Sequence, residues 1–95
     1  MRAGSSIKHM IEAMSDDELA KMLRREYLRK LARYRRLDDQ LCTKYGMTCE
    51  EFEKEDIVAK KNYSWEVEAD AQDWEMAIDG IKICLRKLGE VKVEY

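Results

Sequence analysis

The sequence contains no proline, one histidine, one phenylalanine and four glycines in 95 residues. Without proline, no backbone angle is fixed and no helix interior lacks an amide donor, which favours long, uninterrupted helices. The single histidine, His9, excludes a multi-histidine metal site. The three cysteines, Cys42, Cys49 and Cys84, are odd in number and show no CxxC spacing. A disulfide framework uses an even, denser set, and a structural zinc site uses four closely paired ligands. The three read as reduced thiols of a cytoplasmic protein. No apolar run exceeds three residues, as at Met76-Ala77-Ile78, so nothing suits a membrane span. Met1 to Met14 lacks the apolar core of a secretion signal. GxGxxG and GxxxxGK[ST] are both missing, which removes the phosphate cradles, and no glycine-centred acidic loop offers a calcium site. No cofactor is expected.

Charge is abundant: Lys and Arg number 18 and Asp and Glu 20, for a net −2. That small sum conceals two blocks. Lys21 to Arg36 holds eight bases and one acid, a local +7, whereas Asp38 to Asp79 holds thirteen acids and four lysines, a local −9. Such halves can neutralise each other in the fold or be presented to partners of opposite sign. A chain this short buries only about 60% of its unfolded surface. Extended helices bury less, so oligomerisation or a partner is expected.

Apolar spacing sets the elements. Ile7, Met10, Ile11 and Met14 follow an i, i+3, i+4, i+7 pattern, a short amphipathic helix that must dock on the chain or on a partner. Ser15-Asp16-Asp17-Glu18 is a capping box opening a helix that can run to Tyr45, with Gly46 as its left-handed stop. Its stripe is Ala20, Leu23, Tyr27, Leu31, Tyr34, Leu37, Leu41 and Tyr45. Thr48 to Glu51 is a second capping box, opening a short helix anchored by Phe52, with Ile57 and Val58 beyond. Lys60-Lys61-Asn62 marks a break. Ser64 caps a third helix, whose positions Val67, Ala71, Trp74, Ile78, Ile81, Leu85 and Leu88 alternate in steps of four and three, a heptad seam ending at Gly89. Gly80 lies inside this helix, and an internal glycine marks close approach by a neighbouring backbone or a bulky side chain. Val91 to Tyr95 alternates like a strand but is too short to form a sheet alone.

The expected architecture is all-α. An N-terminal segment (1–14) precedes an antiparallel helical hairpin (15–89) and a tail (90–95). The basic first helix and acidic last helix would be electrostatically self-complementary. A coiled-coil or four-helix-bundle oligomer would bury the seam residues Val67, Trp74, Ile78, Ile81, Leu85 and Leu88.

Catalytic constellations are weak. Cys49 falls at a predicted helix N-terminus, where a thiol pKa can drop, but His9 is the one available imidazole base. His9 and Glu12 run in the reverse order of the Glu-x-x-His pairs of di-iron bundles. The acids therefore read as solvated or ion-paired, and the chain as a non-enzyme. Interaction features are stronger. Arg25, Arg29, Arg33 and Arg36 form a possible nucleic-acid-binding face with Tyr27 and Tyr34 interleaved, although both tyrosines fall on the packing stripe. Tyr63 and Trp65 stand at the third helix start, and tryptophan and tyrosine dominate binding hot spots.

Lys44-Tyr45-Gly46-Met47-Thr48 through Glu51-Phe52, then Tyr63-Ser64-Trp65-Glu66-Val67-Glu68 and Asp73-Trp74-Glu75, resembles small helical antitoxin-like proteins of archaeal and bacterial toxin–antitoxin pairs. The similarity spans Ser15 to Leu88. It implies an all-helical hairpin that neutralises a small toxin. In such a pair, Tyr63, Trp65, Glu66, Glu68, Asp70, Asp73 and Glu75 would face a basic partner. No DNA-binding helix-turn-helix accompanies the resemblance. The alternatives are a self-associating homo-dimer and a nucleic-acid module.

Overall fold

The computed structural model describes residues 12–91. Ile7, His9, Met10, Ile11 and the tail from Lys92 lie outside them. Among the described residues the chain is all-helical: α1 Asp16–Tyr45, α2 Cys49–Lys54, α3 Ile57–Lys60 and α4 Trp65–Glu90. The two long helices follow from the proline-free sequence and from their caps.

Ser15 accepts the Glu18 amide at 3.1 Å and opens α1, with Asp16, Asp17 and Glu18 at the positive end of its dipole. Gly46 closes it at φ 66°, donating its N–H to the Cys42 carbonyl at 2.8 Å. The Thr48–Glu51 capping box is complete: the Glu51 amide donates to Thr48 Oγ1 at 3.1 Å and the Thr48 amide to Glu51 Oε1 at 3.2 Å. Ser64 accepts the Val67 amide at 3.4 Å and opens α4. Asp56 is left-handed at φ 51° and divides α2 from α3, a break the sequence pattern did not signal. Gly89 does not stop α4. The helix runs through Glu90, and the Val91 amide still bonds the Lys87 carbonyl at 3.1 Å.

Cross-helix contacts fix the register. Lys44 reaches Asp70, Asp38 meets Trp74 and Tyr34 lies over Gly80, so residue numbers fall along α1 as they rise along α4. The principal core sits where α2 and α3 close this pair. Leu41, Phe52, Val67 and Trp74 are its buried members, flanked by Leu37, Tyr45, Met47, Ile57 and Val58. Tyr45, Phe52 and Trp74 form an aromatic trio with ring centroids 4.9, 5.1 and 5.9 Å apart. Trp74 is fully buried.

The α4 seam differs from the expected heptad. Val67 and Trp74 are buried and Ala71, Ile78, Ile81 and Leu88 half-buried, as the seam expects, but Leu85 is 48% exposed and a line of small residues, Ala77, Gly80 and Cys84, is buried instead. The cause is size. The Tyr34 ring occupies the space beside Gly80, where an added Cβ would lie 2.5 Å from Cε2. Small residues on that line let α1 approach, which rotates Leu85 outward. Val67 and Trp74 pack within one chain and are covered there.

Candidate functional site

A polar group joins α1 to α4 beside the core. Lys44 Nζ donates to Glu66 Oε1 at 2.7 Å and to Asp70 Oδ2 at 2.6 Å, and Tyr45 Oη donates to the same Asp70 oxygen at 2.5 Å. The bond to Asp70, then that to Glu66, raises the Lys44 pKa. Partial burial and the Asp70 bond push the Tyr45 phenol up to about 12. Desolvation would raise Asp70, but the Lys44 and Tyr45 bonds together outweigh it and hold the carboxyl below its ordinary value. Glu66 and Asp70 therefore serve the chain's own fold, whereas Glu68, Asp73 and Glu75, also read as partner-facing, are exposed and have no ion pair with another described residue.

Tyr63 and Trp65 stand at the α4 start, 63% and 89% exposed. Asn62 and Tyr63 both take left-handed backbone, at φ 56° and 53°. Such a conformation costs a β-carbon residue about 1–2 kcal/mol. Strained backbone of this kind gathers at functional surfaces.

The register overturns the expected electrostatic self-complementarity of the hairpin. Running in opposite directions, the basic block of α1 comes level with the basic end of α4, Lys82, Arg86 and Lys87, and with only two of the seven α4 acids, Asp79 and Glu90. Residues 37–77 carry twelve acids and four lysines, a net −8. Residues 16–36 with 78–91 carry eleven bases and six acids, a net +5. Charge thus separates along the molecule. Lys44 supplies the cross-helix ion pairs found among the described residues. Arg25, Arg29, Arg33 and Arg36 are exposed on α1, and of these Arg29 alone has an ion pair, with Glu26 at 3.4 Å. Tyr27 and Tyr34 are half-buried in the packing, not free to stack on bases.

A cleft of about 600 Å³ opens where α1, α2 and α4 meet. It is lined by Asp38, Cys42, Thr48, Cys49, Glu50, Glu53, Glu75, Ile78, Asp79 and Lys82. Asp38 is fixed there, accepting from Trp74 Nε1 at 2.7 Å and from Cys42 Sγ at 3.5 Å. Burial and the Glu53 carboxylate push the Cys49 thiol up to about 11. Burial and Asp38 likewise raise Cys42. The helix N-terminus therefore does not lower the Cys49 pKa, and the thiolate a nucleophile needs is disfavoured. The three cysteines are free thiols, and no group of three His, Cys, Asp or Glu among the described residues is arranged to hold a metal. No helix among them is long and apolar enough to cross a membrane.

Sequence reasoning missed this cleft because its walls come from three elements. Periodicity within one helix carries no information on how separate helices meet. The α4 acids were visible in sequence, but their alignment with Asp38, Glu50 and Glu53 depends on the register. Comparison with protein-family models, curated proteins and solved structures finds no match to this chain.

Proposed function

We propose that this chain is a non-enzymatic protein-binding module, an antiparallel helical hairpin acting as an antitoxin-like partner that neutralises a small basic toxin in the cytoplasm. The observation that carries this reading is the exposed pair Tyr63 and Trp65 at the α4 start, Tyr63 on left-handed backbone, followed along α4 by the exposed acids Glu68, Asp73 and Glu75, which have no ion pair with another described residue. Aromatic anchors supply contact area at small entropic cost, and surrounding acids select a basic surface. The raised thiol pKa values of Cys42 and Cys49 favour a binding role over nucleophilic chemistry. Co-expression with the protein encoded beside this chain is the test. The neighbour is expected to arrest growth alone, to be harmless with the chain, and to co-purify with it less well after Trp65→Ala. If no neighbour is toxic and none co-purifies, the reading falls.

Two alternatives have their own observations. The exposed stripe Arg25, Arg29, Arg33 and Arg36, uncovered by α4 acids, suits phosphate contacts of a nucleic acid. That reading requires affinity that falls steeply with salt and disappears in Arg29→Glu/Arg33→Glu. Self-association into a homo-dimer is the other. Leu23, Leu28, Met76, Ile83 and Leu85 leave apolar surface exposed.

A further inference from the structure

The cleft-bearing face continues beyond the cleft. On α1, Arg24, Leu28 and Arg35 precede Cys42 by 18, 14 and 7 residues, all near-integral numbers of helical turns. They extend the line on which Cys42 meets the cleft. On α4, Arg86 follows Glu75, Asp79 and Lys82 by 11, 7 and 4 residues, and Leu85 follows Ile78 by 7. One broad face therefore carries an acid-lined cleft at the closed end and a basic, leucine-bearing patch toward the open end. Leu28 is 43% exposed and Leu85 48%. Arg24, Arg35, Lys82 and Arg86 have no ion pair with another described residue, and neither do Glu50, Glu53, Glu75 and Asp79.

We infer that this face binds a second copy of the chain turned end for end, so that each basic leucine patch lies on the other copy's acidic cleft. The inference rests on the self-association reading and gives it a surface. Charge complementarity selects both partner and direction. A parallel pair would set −8 against −8 and +5 against +5, whereas the reversed pair sets each half against its opposite. A two-fold axis makes the contact twice, which closes the assembly at two copies. Helices about 10 Å wide and about 45 Å long give a paired face of some 20 by 45 Å, close to the ~800 Å² per partner of a standard interface. The dimer is built on this outer face and not on the heptad seam, whose Val67 and Trp74 are already covered within each chain.

Light scattering with a charge exchange tests this. Wild type is expected at twice the 11.3 kDa chain mass at low ionic strength and at single mass once salt screens the contact. Arg24→Glu/Arg35→Glu leaves acid facing acid, and Glu75→Lys/Asp79→Lys leaves base facing base. Each is expected at single mass with unchanged helical circular dichroism. Their equimolar mixture is expected to return to double mass, because both contacts then become attractive. If either reversal unfolds the chain, Arg24→Ala/Arg35→Ala and Glu75→Ala/Asp79→Ala replace them, and each is expected to weaken association at least tenfold. Wild type monomeric at every concentration overturns both this inference and self-association. A dimer indifferent to all these variants, or a mixture of the reversed pair that stays monomeric, overturns the proposed face alone and leaves self-association through another surface.

Discussion

Trp74 links the long helices through both packing and a hydrogen bond. Its ring fills the core, and its indole N–H donates to the Asp38 carboxylate at 2.7 Å. Trp74→Phe removes both ring volume and donor, so it is expected to cost about 2–4 kcal/mol in urea unfolding. Asp38→Asn keeps an acceptor for the indole and is expected to cost about 1 kcal/mol. Gly80 sets up a second residue-scale test. An alanine there gains up to about 1 kcal/mol of helix propensity, but its Cβ would meet the Tyr34 ring at 2.5 Å. Gly80→Ala is expected to lower the melting temperature in the wild-type background and to raise it in Tyr34→Ala, where the obstructing ring is gone. The glycine was legible in sequence as a point of close approach, but Tyr34 as the approaching group was not, because nothing local ties residues 34 and 80.

At the scale of elements, the Lys44–Asp70–Tyr45 group fastens the end of α1 to the start of α4, next to the turn through α2 and α3. Tyr45 has its folded pKa raised from 10.0 to about 12, so its stabilising contribution is complete below pH 10 and is lost as pH rises toward 12. Lys44, also raised, acts in the same alkaline direction. Asp70, lowered, contributes above its ordinary carboxyl pKa, and that contribution is lost as pH falls through its folded value. Thermal melts are therefore expected to show stability falling at both extremes. Tyr45→Phe should flatten the part of the alkaline fall due to Tyr45 at a cost of about 1 kcal/mol near neutral pH. The caps that bound these elements were readable from Ser15, Thr48, Ser64 and Gly46, because capping is local chemistry. The α2–α3 break at Asp56 was not, since left-handed backbone at an aspartate has no strong sequence signal.

For the whole molecule, charge separation is the dominant property. Cross-helix ion pairing is concentrated at Lys44, and the basic half rests on apolar packing around Leu31, Ala77 and Cys84. Arg33→Glu/Arg36→Glu is accordingly expected to change unfolding free energy by no more than about 0.5 kcal/mol. Lys44→Glu places a third carboxylate beside Glu66 and Asp70 and is expected to destabilise measurably in the same urea titration. Equal losses from the two would mean that the basic block is paired within the fold.

The sequence alone determined that the described chain is helical, where its long helices begin, and that Phe52 and Trp74 are core. These follow from capping, periodicity and the absence of proline, all of which act within a few residues. Tertiary structure decided which charges face which. The +7 and −9 blocks invited mutual neutralisation, but opposite helix directions bring like-charged ends level and leave unlike charges at opposite ends. It likewise decided that Glu66 and Asp70 turn to Lys44 while Trp65 stays exposed, and that small residues displace Leu85 from the seam. The physical reason is that register between two helices is set by side-chain volume at their contact, Tyr34 on Gly80 above all, and volume complementarity across 46 residues of chain is invisible to any local pattern.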